Sequence, residues 1–278
     1  MASQVSSISS EYPLGYTTAE QERLIRQAAL FAPITERLFR EAGIGLGQRV
    51  LELGSGMGDV AMVVARLVGP TGEVVGIERE ASSIARAEAR ATEAGLRNVR
   101  FIQTDVNQVV SDKLFDAAVG RFILAFLPDP ASVLHSISRL VRPGGAVAFQ
   151  EPSWIPFLAL GVRLPLWYRV LTAIHLIFLR SGANPEMGLG LHVAFQEAGL
   201  PAPAMRMEIL LGRDANCTQQ VADVLCSLHP LARQHNVSLE GIGDLETLAD
   251  RLHAEIAASN TVVNYIPIVS ARSRKPLT

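Results

Sequence analysis

The sequence predicts an α/β protein: a doubly wound, mostly parallel sheet with helices on both faces, an N-terminal helical arm and an inserted helical lid. Three observations carry this prediction. Between residues 49 and 151, short β-branched runs alternate with helix-length segments, and strands separated in this way pair in parallel through right-handed crossovers. The first run leads directly into three alternate glycines. After Glu151 the alternation stops, and an apolar stretch punctuated by proline takes over.

Taken in order, residues 1–18 are Ser-rich and polar and contain Tyr12, Pro13, Gly15 and Tyr16, which reads as an arm ending in a turn. Thr17 or Thr18 is placed to cap the helix that follows. Leu24, Ala28, Phe31, Ile34, Leu38 and Phe39 then fall at helical spacing, giving one or two amphipathic helices with Pro33 as a break or kink. Residues 1–45 thus form an arm covering the site. The core, 46–151, holds strands at 49–53, 73–77, 99–103, 116–120 and 146–150, separated by helices over 57–68, 82–94 and 130–141 and by a short link after the third strand. Residues 152–200 form the lid: an apolar helical segment to about 180, a Gly-rich loop over 181–190 and a helix over 189–198. Residues 201–278 close the sheet with strands near 205–211 and 262–272 around a helical insert at 215–257.

The 278 residues are 49% hydrophobic and 19% charged, too apolar for a disordered chain. Twenty-five basic against 27 acidic residues give a formal charge of -2, so nothing electrostatic favours a nucleic acid as partner. Two cysteines, Cys217 and Cys226, are read as too few for a disulfide scaffold or a four-ligand zinc site and suit a reduced cytoplasm. The first 15 residues have neither the basic cluster nor the apolar run of a signal peptide. The apolar stretch 154–180 is interrupted by Pro156, Arg163, Pro165, Arg169 and His175, and it reads as a buried helical layer rather than a bilayer span. Such a lid would serve as an acceptor pocket or as the surface of a homodimer.

The strongest local signal is Val50-Leu51-Glu52-Leu53-Gly54-Ser55-Gly56-Met57-Gly58-Asp59. Alternate glycines let the backbone turn tightly and approach a ligand, and the following helix N-terminus offers unpaired N–H groups. A dinucleotide fingerprint would place its third glycine at position 59, where Asp59 stands. Twenty residues beyond Gly58 comes Glu78, at a strand end and placed to accept both hydroxyls of a ribose. Asp105 follows the next strand, where a carboxylate suits an exocyclic amine. All three acids sit at carboxyl ends of adjacent strands, where open α/β sheets bind ligands.

Residues 49–151 resemble the class I S-adenosylmethionine-dependent methyltransferases, whose fold is Rossmann-like. That resemblance implies that Gly54, Gly56 and Gly58 wrap the methionine part of the donor S-adenosylmethionine, with Glu52 near its amino group. It implies that Glu78 binds the ribose, with Arg79 beside it as a further donor contact, and that Asp105 and the backbone of Val106 read the adenine. Phe115-Asp116-Ala117-Ala118-Val119-Gly120-Arg121 is similar to the family's fourth strand, and Leu140-Val141-Arg142-Pro143-Gly144-Gly145 to its turn before the fifth. Tyr12-Pro13-Leu14-Gly15, Glu20, Arg23-Leu24 and Phe149-Gln150-Glu151-Pro152 resemble bacterial small-molecule methyltransferases of natural-product tailoring. In these an N-terminal arm covers donor and acceptor; Tyr12 and Gln27 are its donor candidates here, and Tyr16 a candidate near the chemistry. The chain departs from base- and glutamine-methylating enzymes at Gly120-Arg121-Phe122-Ile123, which lacks their Asn/Asp-Pro-Pro-aromatic signature. Arg121 in that place also argues against a magnesium site, and it is expected to contact substrate or donor carboxylate.

A sulfonium methyl donor is already activated, so in-line positioning and exclusion of water are the main requirements, and a base is optional. By position, the candidates for proton handling are Glu151, His175 and His192. The expected activity is metal-independent methyl transfer to a small, fairly hydrophobic, secondary-metabolite-like acceptor. Two other classes stay open: a catalytically degenerate module that holds donor or product, and a nicotinamide-dependent oxidoreductase, disfavoured by Asp59 and by the lack of a recognisable Tyr/Lys pair.

Overall fold

The computed structural model describes residues 13–161 and 163–277. Tyr12 lies outside the described residues. Helix α1 (Thr18–Glu41) starts where Thr17 Oγ1 accepts the Glu20 N–H at 3.2 Å. It continues unbroken through Pro33. An internal proline costs a helix ~3 kcal/mol, and burial of Phe31, Ile34, Leu38 and Phe39 along one face offsets that loss.

The Rossmann-like core alternates as expected: β1 (Arg49–Leu53), α2 (Asp59–Val68), β2 (Glu73–Glu78), α3 (Ala81–Glu93), β3 (Val99–Gln103), β4 (Phe115–Arg121), α4 (Pro130–Leu140) and β5 (Val141–Pro152). β5 begins five residues earlier than the sequence pattern suggests, because Val141 pairs with Phe115 across a register shift. Then come α5 (Trp154–Gly161), α6 (Pro165–Arg180), α7 (Met187–Glu197), β6 (Ala204–Glu208), β7 (Leu211–Gly212), α8 (Ala215–Gln234), α9 (Leu248–Ala258), β8 (Val263–Asn264) and β9 (Ile268–Arg274). The main sheet has the order β3-β2-β1-β4-β5-β9-β6, with β9 antiparallel to both neighbours. All other pairings in it are parallel.

The helical insert at 215–257 is made of two helices, α8 and α9, parted by residues 235–247. Two expectations need correction. The closing runs 205–211 and 262–272 do not stay in the sheet throughout: β7 and β8, at one end of each, form a separate two-stranded ribbon. The lid 152–200 is not a single unit. α5 and α6 pack with α8 and α9 around Trp167, Leu171, Ile174, Leu225 and Leu252. α7 instead covers the sheet beside α4, with Phe195 edge-on to Phe149 of β5 at 6.4 Å. Gly188 lets α7 approach that closely, since a Cβ there would stand 2.8 Å from the Pro152 carbonyl oxygen and 2.9 Å from that of Glu151.

Candidate functional site

A cavity of ≈ 550 Å³ opens over the carboxyl ends of β1, β2 and β4, and α1 forms one of its walls. Its floor is the loop after β1. Gly54, Gly56 and Gly58 all take positive φ, of 65°, 48° and 78°. A side chain fits this backbone poorly at each position, and the surroundings differ. A Cβ on Gly54 would stand 2.8 Å from Ile123 and one on Gly58 3.0 Å from Ala87 and Phe101, whereas one on Gly56 would meet nothing within 4 Å. Gly56 therefore faces open cavity.

The strand-end acids surround this loop. Glu78 Oε2 accepts the Gly56 N–H at 2.9 Å, and its Oε1 accepts the N–H groups of Arg79 and Glu80 at 2.8 and 3.0 Å. Glu78 thus orients the glycine loop while lining the cavity. Asp105 caps the short helical turn 106–108, accepting from the backbone and side-chain nitrogens of Asn107 at 2.8 Å each. Val106 lies beside it in the wall.

Glu52 is 1% exposed, yet its Oε2 has no hydrogen-bond partner. Burial pushes its carboxyl up to about 8 against the pull of the Ser55 hydroxyl and the Arg121 guanidinium. Leaving a buried carboxylate oxygen unpaired costs a protein on the order of 1–3 kcal/mol, so this atom is suited to a ligand that brings a cation or a donor. Arg121 lines the cavity and donates through Nη1 to Thr35 Oγ1 at 2.9 Å; Thr35 donates to Gln150 Oε1 at 2.7 Å, and Gln150 to Ser270 at 2.9 Å. This chain ties α1, β4, β5 and β9 together beneath the cavity.

From the arm, Tyr16 and Gln27 both line the cavity. Tyr16 Oη accepts from Arg79 Nε at 3.2 Å, and burial raises its phenol above the ordinary value. The cavity continues between α1, α5, α6 and α8, past Phe126, Trp154, Phe157, Phe178, Cys217, Val221 and Tyr265. Trp154 packs against Phe157 and Phe178 with ring centroids 5.2 and 5.7 Å apart. No single-sequence pattern singled out Val221 or Tyr265, because each reaches the cavity only through the packing of segments distant in sequence.

The three candidates for proton handling are not brought together. Glu151 is fully buried below the cavity wall, its Oε1 accepting the N–H groups of Ile123 and Leu124 at 3.0 and 2.8 Å and its Oε2 that of Ala125 at 3.2 Å. Burial raises its carboxyl to about 7 despite these bonds. It holds the turn after β4 and does not line the cavity. His175 is half-buried behind Trp154, ring centroids 6.3 Å apart, with its imidazole shifted down by burial, and it too is absent from the lining. His192 is exposed on the outer side of α7. Among the described residues no cluster of His, Cys, Asp and Glu is arranged to hold a metal ion, and no helix is long and apolar enough to cross a membrane.

An open α/β sheet of this strand order, with a three-glycine loop and acids at the ends of β1 and β2 facing one deep cavity, is the class I methyltransferase architecture. Residues 45–171 match a family described as a methyltransferase domain. Aklanonic acid methyltransferase DauC of Streptomyces sp. strain C5 is 33% identical over 133 residues, 46% of this chain and 60% of that protein. The ubiquinone/menaquinone biosynthesis C-methyltransferase UbiE of Coxiella burnetii is 35% identical over 118 residues, 41% of this chain and 47% of that protein. The chain thus spans about half to three-fifths of the length of these curated relatives. In fold it is similar to a SAM-dependent methyltransferase from Aquifex aeolicus (TM-score 0.54, 19% identity, 69% of this chain and 92% of the other). It is equally similar to the cyclase SpnF (TM-score 0.54, 22% identity, 89% and 81%). Residues 45–171, a little under half of the chain, are thus similar to a methyltransferase domain, and the fold is shared with that of a SAM-dependent methyltransferase.

Proposed function

We propose that the whole chain transfers a methyl group from S-adenosylmethionine to a small, ring-bearing, largely hydrophobic acceptor. One observation carries the reading: the unpartnered Glu52 oxygen, the open face of Gly56, Glu78 and Asp105 all border a cavity that runs on into an aromatic chamber. When bound, the donor supplies a methyl group activated on a sulfonium sulfur. Glu52 holds its ammonium group, Glu78 its ribose hydroxyls, and Asp105 with the Val106 backbone its adenine. Arg79 and Tyr16 close the ribose end.

The acceptor occupies the chamber between α5, α6 and α8. Trp154, Phe157 and Phe178 exclude water and present ring faces that fix the orientation of a flat acceptor. Positioning and desolvation are the chain's contribution to the rate, since Glu151, His175 and His192 lie away from the cavity. The similarity of the matched segment to an aklanonic acid methyltransferase and to a ubiquinone/menaquinone biosynthesis C-methyltransferase supports a secondary-metabolite-like acceptor. The two free thiols, Cys217 and Cys226, suit a cytoplasmic setting.

Thermal shift and calorimetry with S-adenosylmethionine, S-adenosylhomocysteine, NAD and NADP test the donor, because a ligand that binds only the folded state raises Tm. Stabilisation by the first two alone is expected, followed by detection of methylated product from an aromatic acceptor panel by mass spectrometry. Stabilisation by a nicotinamide instead would reject the reading. Donor binding with no demethylated donor ever formed, across the panel, would leave a binding module.

A further inference from the structure

The arm helix carries a buried charge pair in the wall of the cavity. Arg23 and Glu20 are 2% and 1% exposed, and both line it. Arg23 donates through Nε and Nη2 to the Glu20 carboxylate at 2.8 and 2.5 Å, and through Nη1 to Gln27 Oε1 at 2.5 Å. Ser227 of α8 donates to Glu20 Oε2 at 3.0 Å. Residues 20, 23 and 27 recur at helical spacing, so one face of α1 presents them together. The desolvation cost of a buried ion pair commonly matches or exceeds its attraction. A pair of this kind in a cavity wall is better accounted for by a ligand that uses it than by stability.

Its position along α1 indicates which part of a ligand that would be. Just before the helix, Tyr16 meets Arg79 next to Glu78, and one turn in, Glu22 pairs with Arg86 of α3 at 3.1 Å. Towards the other end, Thr35 holds Arg121, whose charge acts on Glu52. Arg23 and Gln27 fall between these two anchors, on the stretch of helix spanning from the ribose acid to the carboxylate behind the glycine loop. A methionine moiety in that stretch brings an ammonium, which Glu52 matches, and a carboxylate, which the strand-end acids can only repel. A guanidinium fork fixed along one edge by Glu20 is preorganised for a carboxylate.

We propose that Arg23, oriented by Glu20 and flanked by Gln27, binds the carboxylate of the donor's methionine moiety. The proposal rests on the reading of the cavity as a donor site, and the experiment separates the two. Calorimetry compares S-adenosylhomocysteine with 5′-methylthioadenosine, which keeps the nucleoside and the thioether but lacks the amino acid. Arg23→Met, and the double variant Glu20→Gln/Arg23→Met that leaves no uncompensated buried carboxylate, are expected to weaken S-adenosylhomocysteine by about tenfold or more. Both should leave 5′-methylthioadenosine affinity within about twofold of wild type, which also shows that the site is folded. Equal losses for the two ligands overturn the proposal, because Arg23 would then support the fold or the nucleoside. Unchanged S-adenosylhomocysteine affinity also overturns it, and a raised acceptor KM in that case would assign Arg23 to the acceptor. A wild-type protein that binds neither ligand defeats the donor reading itself.

Discussion

Glu78 does two things with one carboxylate: it holds the Gly56 N–H and it faces the cavity. Glu78→Ala should therefore weaken donor binding by about 1.5–3 kcal/mol, the scale of charge-assisted hydrogen bonds; an unchanged Kd by calorimetry would remove it from the donor site. The glycines separate occupancy from fold. Gly56→Val points into open cavity and should fold with a modest strain penalty, yet bind no donor. Gly58→Val drives carbon into Ala87 and Phe101 and should lower Tm before any ligand is added. Glu52 is the pH-sensitive member. Its carboxyl sits at about 8 in the folded protein because of burial, so near pH 7 it is mostly protonated, and pairing with an ammonium must expel that proton. Donor binding should release a proton, measured as a dependence of the calorimetric enthalpy on buffer ionisation, and Glu52→Gln should abolish that dependence.

At the level of elements, the segment after β4 shows how backbone contacts and a buried carboxyl shape the cavity wall. Phe122 adopts a left-handed φ of 56°, unusual for an aromatic residue, while its N–H donates to Gln150 O at 2.9 Å and its ring meets Phe31 edge-on at 5.8 Å. The neighbouring turn hangs on the Glu151 carboxyl, which collects three backbone N–H groups. Glu151→Ala would orphan all three and should cost roughly 3 kcal/mol or more in denaturant unfolding, with any loss of turnover following from loss of fold. His175 and His192, outside the cavity on α6 and α7, should tolerate alanine with kcat/KM within a few-fold of wild type. A collapse of turnover in either, with the fold intact, would bring that histidine back into the chemistry.

Over the whole molecule, the raised carboxyls of Glu52 and Glu151 link stability to pH. Each has a folded value above that of the unfolded chain, ordinarily near 4.5, so each favours folding fully below that value and loses this contribution as pH rises towards 7 to 8. His175, shifted down, acts in the opposite sense around its ordinary 6.5. The difference in Tm between wild type and Glu52→Gln isolates one group. It should decline steadily from pH 5 to 8, and a flat difference would mean that Glu52 titrates normally.

The half of the cavity over the strand ends was legible in the chain because its placement is local. A strand-length run followed by a helix-length segment puts the next residue at the carboxyl edge of a parallel sheet whatever the rest of the protein does, so Glu52, the three glycines, Glu78 and Asp105 could be set on one rim from spacing alone. Helix α1 was legible for the same reason, although Pro33 suggested a break that the buried Phe31–Phe39 face overrides. The half of the cavity walled by helices was decided only in three dimensions. Glu20 and Arg23 face the cavity where α8 packs against α1. Cys217 and Tyr265 join its wall from two elements 48 positions apart in sequence. His192 turns outward because α7 serves the sheet rather than the lid. Periodicity tells which face of an element is buried, but it carries no information about which other element will cover that face, and the helical half of the cavity is made of such coverings.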